Sequence, residues 1–152
     1  MGKDVMVMDP KPGDSSINMG RVVAGGLLAG LVINISETIL NLFVVAADME
    51  AALKARNLPA LGMSPIVGFV VLAFLFGIAT VWLYAAVRPR LGPGVKTAVI
   101  TGVVVWLLAY LYSGLGMMFM GFFPTGLMIL TLVWGLVEVV VGSVAGAWVY
   151  KE

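Results

Sequence analysis

Four apolar segments, each longer than the roughly 20 residues that cross a bilayer as a helix, occupy most of this chain. They cover about residues 22–47, 65–87, 95–120 and 125–150. Backbone N–H and C=O groups find no partners in lipid, so each segment is predicted to be helical throughout. The sequence therefore predicts an all-α, polytopic membrane protein, a bundle of four transmembrane helices with short loops that forms one domain over residues 19–152.

The composition fits the same class. Apolar residues make up 61% of the chain and charged residues 11%, whereas soluble domains have about 45–50% and about 25%. The net charge of +1 argues against nucleic acid as a partner, because phosphate binding needs a clustered cationic face. The expected partners are the lipid bilayer and, within it, another membrane protein or a second copy of the chain.

Two residue types are missing altogether. The chain has no histidine and no cysteine. This removes the usual ligands for haem, zinc, copper and iron–sulfur clusters, the thiolate nucleophile, and the commonest general base near neutral pH. No base stands beside any serine to activate it. We therefore expect no metal, no cofactor and no enzymatic activity.

The loops predict an orientation in the membrane. The polar residues 1–18 are interpreted as a flexible tail, since they lack the basic start and apolar core of a secretory signal. The side that would hold both termini carries Lys3, Lys11, Arg21, Arg88, Arg90, Lys96 and Lys151, and the opposite side carries Lys54 and Arg56. Because cytoplasmic loops are enriched in Lys and Arg, both termini are predicted to lie in the cytoplasm, with the chain in the cell (inner) membrane.

Small residues recur at helical spacing on two of the segments. Gly26 and Gly30 share one face of the first segment, and Gly135, Gly142 and Gly146 share one face of the fourth. Membrane helices gain little from apolar contact with one another, so small side chains mark the faces where backbones approach closely. These glycines are predicted to pack the bundle rather than to cradle a cofactor.

Two glutamates lie inside the apolar segments. Glu37 continues the glycine stripe of the first segment, with Asn34, Thr38 and Asn41 beside it, and Glu138 lies on the fourth. Ionisable groups in a membrane are costly and usually face the protein interior. Lys and Arg are confined to the segment ends, so desolvation favours the neutral, protonated carboxyl.

The depth of each glutamate suggests a contact. Glu138 lies about 15 Å from the cytoplasmic side, compared with about 20 Å for Asn34 and about 24 Å for Glu37, at 1.5 Å per residue. A Glu138–Asn34 hydrogen bond is therefore the preferred prediction, and a direct pair of carboxyls needs helix tilt. Tyr110 and Tyr112 are also deep enough to need hydrogen-bond partners.

Two functions stay open on these residues. In the first, protonated glutamates only join helices, and the chain is a non-enzymatic accessory or interaction subunit of a larger membrane assembly. In the alternative, the chain is a small proton-coupled transporter that uses Glu37 and Glu138, with Asn34, Thr38 and Asn41 lining the path.

Several segments resemble small bacterial inner-membrane proteins without an assigned activity. They are Asn34-Ile35-Ser36-Glu37, Trp82 to Arg90, Trp134-Gly135-Leu136-Val137-Glu138 and Ala147 to Glu152. The resemblance implies a four-helix bundle and a bacterial origin, and it supplies no substrate. In size and helix number the chain is also similar to small multidrug-resistance exporters, which would give Glu37 the place of their functional first-helix glutamate. Its one-sided loop charges and its second glutamate differ from that family.

Overall fold

The structure, a computed structural model, describes residues 16–151, and within that range every regular element is a helix. The helices are α1 Met19–Ile39, α2 Ala46–Lys54, α3 Met63–Leu91, α4 Val95–Trp106, α5 Tyr112–Phe119 and α6 Thr125–Val149, with π-helical turns at Leu40–Val44 and Leu107–Leu111. The predicted all-α class is confirmed.

Four continuous helical stretches are long and apolar enough to cross a membrane. They are Met19–Val44, Met63–Leu91, Val95–Phe119 and Thr125–Val149. This makes the chain a multi-pass membrane protein. The predicted tail, residues 1–18, lies outside the described residues apart from 16–18, where the Asn18 side chain accepts a hydrogen bond from the Arg21 backbone N–H.

Two helix ends differ from the prediction. The second span was predicted to end near residue 87, but α3 continues through Pro89 to Leu91. Proline removes one hydrogen bond near the end of the helix, and the chain leaves the helix three residues later at Gly92, whose φ of 84° suits glycine. The first segment was predicted to be helical throughout residues 22–47, but it is interrupted at Val45 before α2 begins.

Helix α1 packs between two other helices of the bundle. It packs against α3 on one side and α6 on the other, and α6 also packs against α4. The contact with α3 is backbone to backbone: a Cβ added at Gly77 would lie 2.4 Å from the Gly26 carbonyl oxygen and from the Gly30 nitrogen. The contact with α6 is similarly close at Gly146, where an added Cβ would lie 2.9 Å from the Gly25 oxygen.

Two buried apolar clusters lie towards opposite ends of the bundle. One is built around Val22, Val81 and Tyr84, at the end that holds residues 18 and 151. The other contains Leu40, Val45 and Leu127. Along α1 and α6, Glu37 and Glu138 lie between these clusters. The bundle therefore holds Glu37 and Glu138 in its middle, between two regions of apolar packing.

Candidate functional site

The Glu138 carboxyl is the most deeply buried charged group among the described residues, with 3% of the residue exposed. Tyr110, in the second π-helical turn, donates a hydrogen bond of 2.8 Å from its hydroxyl to Glu138 Oε1. Gly135 makes this contact possible. It lies one helical turn before Glu138, and a Cβ there would be 2.4 Å from Cδ1 of the Tyr110 ring.

The second oxygen of this carboxyl has no such partner. Glu138 Oε2 is buried and makes no hydrogen bond to any residue in the range 16–151. Ser36 and Glu37 adjoin the same carboxyl. A buried polar atom without a partner is rare and costly, and it commonly marks a place that an ion, a water molecule or a proton occupies during function.

Glu37 is half-buried on α1 and lies close enough to Glu138 and Tyr110 for all three groups to interact electrostatically. Asn41 fixes its position. The Asn41 amide nitrogen donates to Glu37 Oε2 at 2.8 Å and to the Glu37 backbone carbonyl at 2.8 Å. The two glutamates therefore form a carboxyl pair, defined here as Glu37 and Glu138, that joins α1 to α6.

Both π-helical turns adjoin this pair. Asn41 belongs to the first turn and Tyr110 to the second, so each carboxyl receives a hydrogen bond from a π-helical residue. A π-helical turn re-aims the side chains around it and is often found at functional sites. Here the two turns bring a donor towards each carboxyl.

Aromatic side chains enclose the pair. Trp134 donates from its indole nitrogen to Ser36 Oγ at 2.8 Å, which ties α6 to α1 beside the site. The rings of Phe76 and Tyr110 lie 6.0 Å apart at 57°, so α3 contributes a wall next to the tyrosine.

The predicted hydrogen bond between Glu138 and Asn34 was wrong. The Asn34 amide nitrogen donates to the Gly30 carbonyl at 2.9 Å and to the Val70 carbonyl at 3.3 Å, so Asn34 joins α1 to α3 instead. The prediction compared only the depths of the two residues in the membrane, and it did not take into account which neighbouring helix each side chain faces. Asn34 faces α3, whereas Glu37, three residues later on α1, adjoins α6.

Thr38 and Tyr112 also lie away from the pair. The Thr38 hydroxyl donates to the Asn34 carbonyl at 2.7 Å and its side chain is exposed. Tyr112 is 80% exposed at the bundle surface, so it does not take the buried position that its depth suggested.

Sequence reasoning missed the roles of Ser36, Tyr110 and Trp134. For Tyr110 the available signal was the need of a deep phenol for an acceptor, which pointed to an acid without saying which. For Trp134 the spacing was informative, because residues four apart share a helix face and Trp134 precedes Glu138 by four. Nothing in the sequence marked Ser36 apart from its position before Glu37.

The two grooves described next border the helices, and neither has a member of the carboxyl pair in its lining. A groove of about 240 Å³ lies along α1 beside Asn34 and Thr38. A larger one of about 590 Å³ lies between α2 and the start of α6, where Arg56 stacks 5.6 Å from the Phe123 ring. Residues 16–151 contain no group of three or more His, Cys, Asp or Glu that could hold a metal ion.

Comparisons with known proteins do not assign this chain to a family. No protein-family model, no curated protein and no solved structure matches this chain. The findings therefore support four membrane-spanning helices and none of the finer resemblances. The carboxyl pair has to be interpreted from its own chemistry.

Proposed function

We propose that this chain is a small proton-coupled membrane carrier in which the carboxyl pair binds and releases the coupling proton. The observation that carries the proposal is the buried carboxyl of Glu138, with one oxygen bonded to Tyr110, the other without a partner in the described part of the chain, and Glu37 beside it. Ionisable residues inside a membrane commonly belong to ion pathways and proton relays.

A purely adhesive role explains this arrangement less well. Polar contacts between membrane helices contribute about 0.6 kcal/mol on average, and asparagine or glutamine supplies them without a titrating group. Two acids side by side repel each other when both are ionised, so such a pair holds a proton readily and releases it at a cost. Binding and release of a proton is the chemistry for which a carboxyl pair is suited.

Two features of the surroundings suit proton transfer. Glu37 is half-buried, is held by Asn41 and adjoins the more deeply buried Glu138, so we propose that the proton reaches Glu138 through Glu37. Asn34 and Thr38 line the neighbouring groove on α1. The π-helical turns next to the pair are points where a helix can change its register, which a carrier needs in order to alternate access.

The remaining parts of the proposal follow the loop charges and the residue types. We propose that both termini lie in the cytoplasm, because seven Lys and Arg lie on that side in the sequence and two on the other. The inner membrane is proposed from the resemblance to small bacterial inner-membrane proteins alone. We propose no enzymatic step. Four helices enclose little space, so alternating access would use a homodimer.

A pH jump on proteoliposomes tests the proposal. Solid-supported-membrane electrophysiology records the charge that moves when protons enter a site inside the membrane, without needing the transported substrate. The wild-type protein should give a transient current, and Glu138→Gln and Glu37→Gln should each abolish it, because glutamine preserves shape and hydrogen bonding but does not titrate.

Glu50→Gln is the matched control, since Glu50 is exposed on α2 outside the spans, and this variant should keep the current. A wild-type protein without a current, or a Glu138→Gln variant with an unchanged one, would contradict the proposal.

A second candidate, an interaction subunit of a larger membrane assembly, is favoured by the start of α3. Every residue from 63 to 72 is exposed, on all faces of the helix. A photo-crosslinking residue at Val67 should then capture another membrane protein in cells. The same residue at Val137, which is similarly exposed on α6, should not. Capture of lipid alone at both positions would reject this candidate.

A further inference from the structure

The unpartnered oxygen of Glu138 indicates more than a proton site. We propose that the carboxyl pair also binds a small monovalent cation of the size of Na⁺, in exchange for its proton. This inference rests on the proposed function, and it names a second ion for the same site.

The first step in the argument is charge. When the pair loses its proton, a negative charge remains between two apolar clusters, and Lys and Arg occur only near the ends of the spans. An uncompensated charge in a medium of low dielectric constant is strongly disfavoured. A second cation that enters as the proton leaves removes that penalty, so the two ions compete for one position.

The second step is the set of ligands. Glu138 Oε2 is free to bind among the described residues, and the Ser36 hydroxyl and the Glu37 carboxyl adjoin the same group. The Tyr110 hydroxyl is bonded to the other oxygen. These are all oxygen donors, the ligand type that hard cations prefer. The Trp134 indole N–H holds the Ser36 oxygen in place, and Asn41 holds Glu37.

The third step concerns the charge of the cation. Ca²⁺ takes six to eight oxygen ligands and Mg²⁺ gives up its water reluctantly. Two of the four carboxyl oxygens here are already engaged, by Tyr110 and Asn41, and the site is enclosed. One ionised carboxylate and one monovalent cation leave the site neutral while the other carboxyl keeps its proton. The charge balance and the small number of available oxygens therefore favour a monovalent cation over a divalent one.

Proton release on addition of sodium tests the inference. The purified full-length protein in weakly buffered, sodium-free detergent solution is mixed with NaCl, and a pH-indicator dye records the protons released. The wild-type chain should release about one proton per chain. Choline chloride at the same ionic strength should release none, because choline is too large for the site.

Two glutamine variants and one control sharpen the result. Glu138→Gln and Glu37→Gln should each lose the sodium-dependent release, and Glu50→Gln should keep it. Equal release with NaCl and choline chloride would overturn the inference, and so would release with CaCl₂ that matches NaCl. If a water molecule alone occupies the position beside Oε2, NaCl releases no protons, and that result also overturns it.

A parallel measurement shows whether a negative result contradicts only the sodium inference or also the proposed proton site. The infrared band of the protonated carboxyl reports proton binding without sodium. If the band titrates with pH in the wild type and is lost in Glu138→Gln, while NaCl releases nothing, then the cation inference fails and the proton site stands. If neither signal is present, both proposals fall.

Discussion

Replacing Gly135 by alanine should break the hydrogen bond between Tyr110 and Glu138, although neither of these two residues is substituted. The new Cβ would lie 2.4 Å from Cδ1 and 2.6 Å from Cε1 of the Tyr110 ring, about 1 Å short of the 3.4 Å at which ordinary contact begins. The Phe76 ring also packs against Tyr110, with 6.0 Å between the ring centroids, and limits the room into which the tyrosine can move.

The size of the effect follows from two contributions. The Tyr110 hydroxyl lies 2.8 Å from Glu138 Oε1, and a ring displacement of about 1 Å carries it outside the O–H···O range of about 2.5–3.0 Å. Forcing an extra carbon into a packed interior costs about 1–3 kcal/mol. The lost polar contact adds about 0.6 kcal/mol, the average between membrane helices. We expect the free energy of unfolding to fall by roughly 1.5–3.5 kcal/mol.

Reversible unfolding in mixed micelles, followed by circular dichroism, measures this change. Gly126→Ala is the matched control on the same helix, because an added Cβ there meets nothing within 4 Å. The control should change the free energy of unfolding by less than about 0.5 kcal/mol, as substitutions away from packed sites do.

A double-mutant cycle with Tyr110→Phe decides whether the hydrogen bond is the cause. In the wild-type background this substitution removes the hydroxyl and should destabilise the protein. In the Gly135→Ala background the bond is already broken, so the same substitution should cost almost nothing. Equal costs in the two backgrounds would refute the reasoning, because they would show that Gly135 does not act through Tyr110.

Two further predictions concern the helices that carry the site. Gly77→Ala should force α1 and α3 apart and destabilise the protein by about 1–3 kcal/mol, since its Cβ would lie 2.4 Å from the backbone of α1. Gly68→Ala, on the same helix in open space, should not destabilise the protein in the same unfolding assay, because alanine has a higher helix propensity than glycine. Deleting Leu108, which is 70% exposed in the second π-helical turn, should remove the extra residue of that turn, so that the turn becomes α-helical and the Tyr110 side chain changes its direction relative to the preceding helix. The variant should then match Tyr110→Phe in its infrared carboxyl band, whereas Leu108→Ala should match the wild type.

The fold follows from the sequence more directly than the site does. The length and apolar character of the segments require four helices, because hydrocarbon leaves the backbone no alternative. The end of α3 was harder to predict. A proline in the last turn removes only one backbone hydrogen bond, and Pro89 did not stop the helix. The π-helical turns at Leu40–Val44 and Leu107–Leu111 left no recognisable signal in the apolar sequence around them.

The sequence was enough to predict which acidic residues form the candidate site, but not which residues they contact. Glu37 and Glu138 are evident because ionisable residues are rare inside a membrane. Which neighbours meet them depends on how each helix is rotated about its axis, and spacing along one helix does not give that rotation relative to the next. Asn34 was consequently matched to Glu138 by depth, although it faces α3 and bonds to Val70.

Infrared difference spectroscopy of the purified protein between acid and alkaline pH tests the account most directly. If Glu138 holds an exchangeable proton in the interior of the bundle, the wild type should show a protonated-carboxyl band at acid pH that disappears on alkalinisation. Glu138→Gln should lack that band, and Glu50→Gln should retain it. A band that is identical in wild type and Glu138→Gln, or a wild type in which no band titrates, would contradict the account.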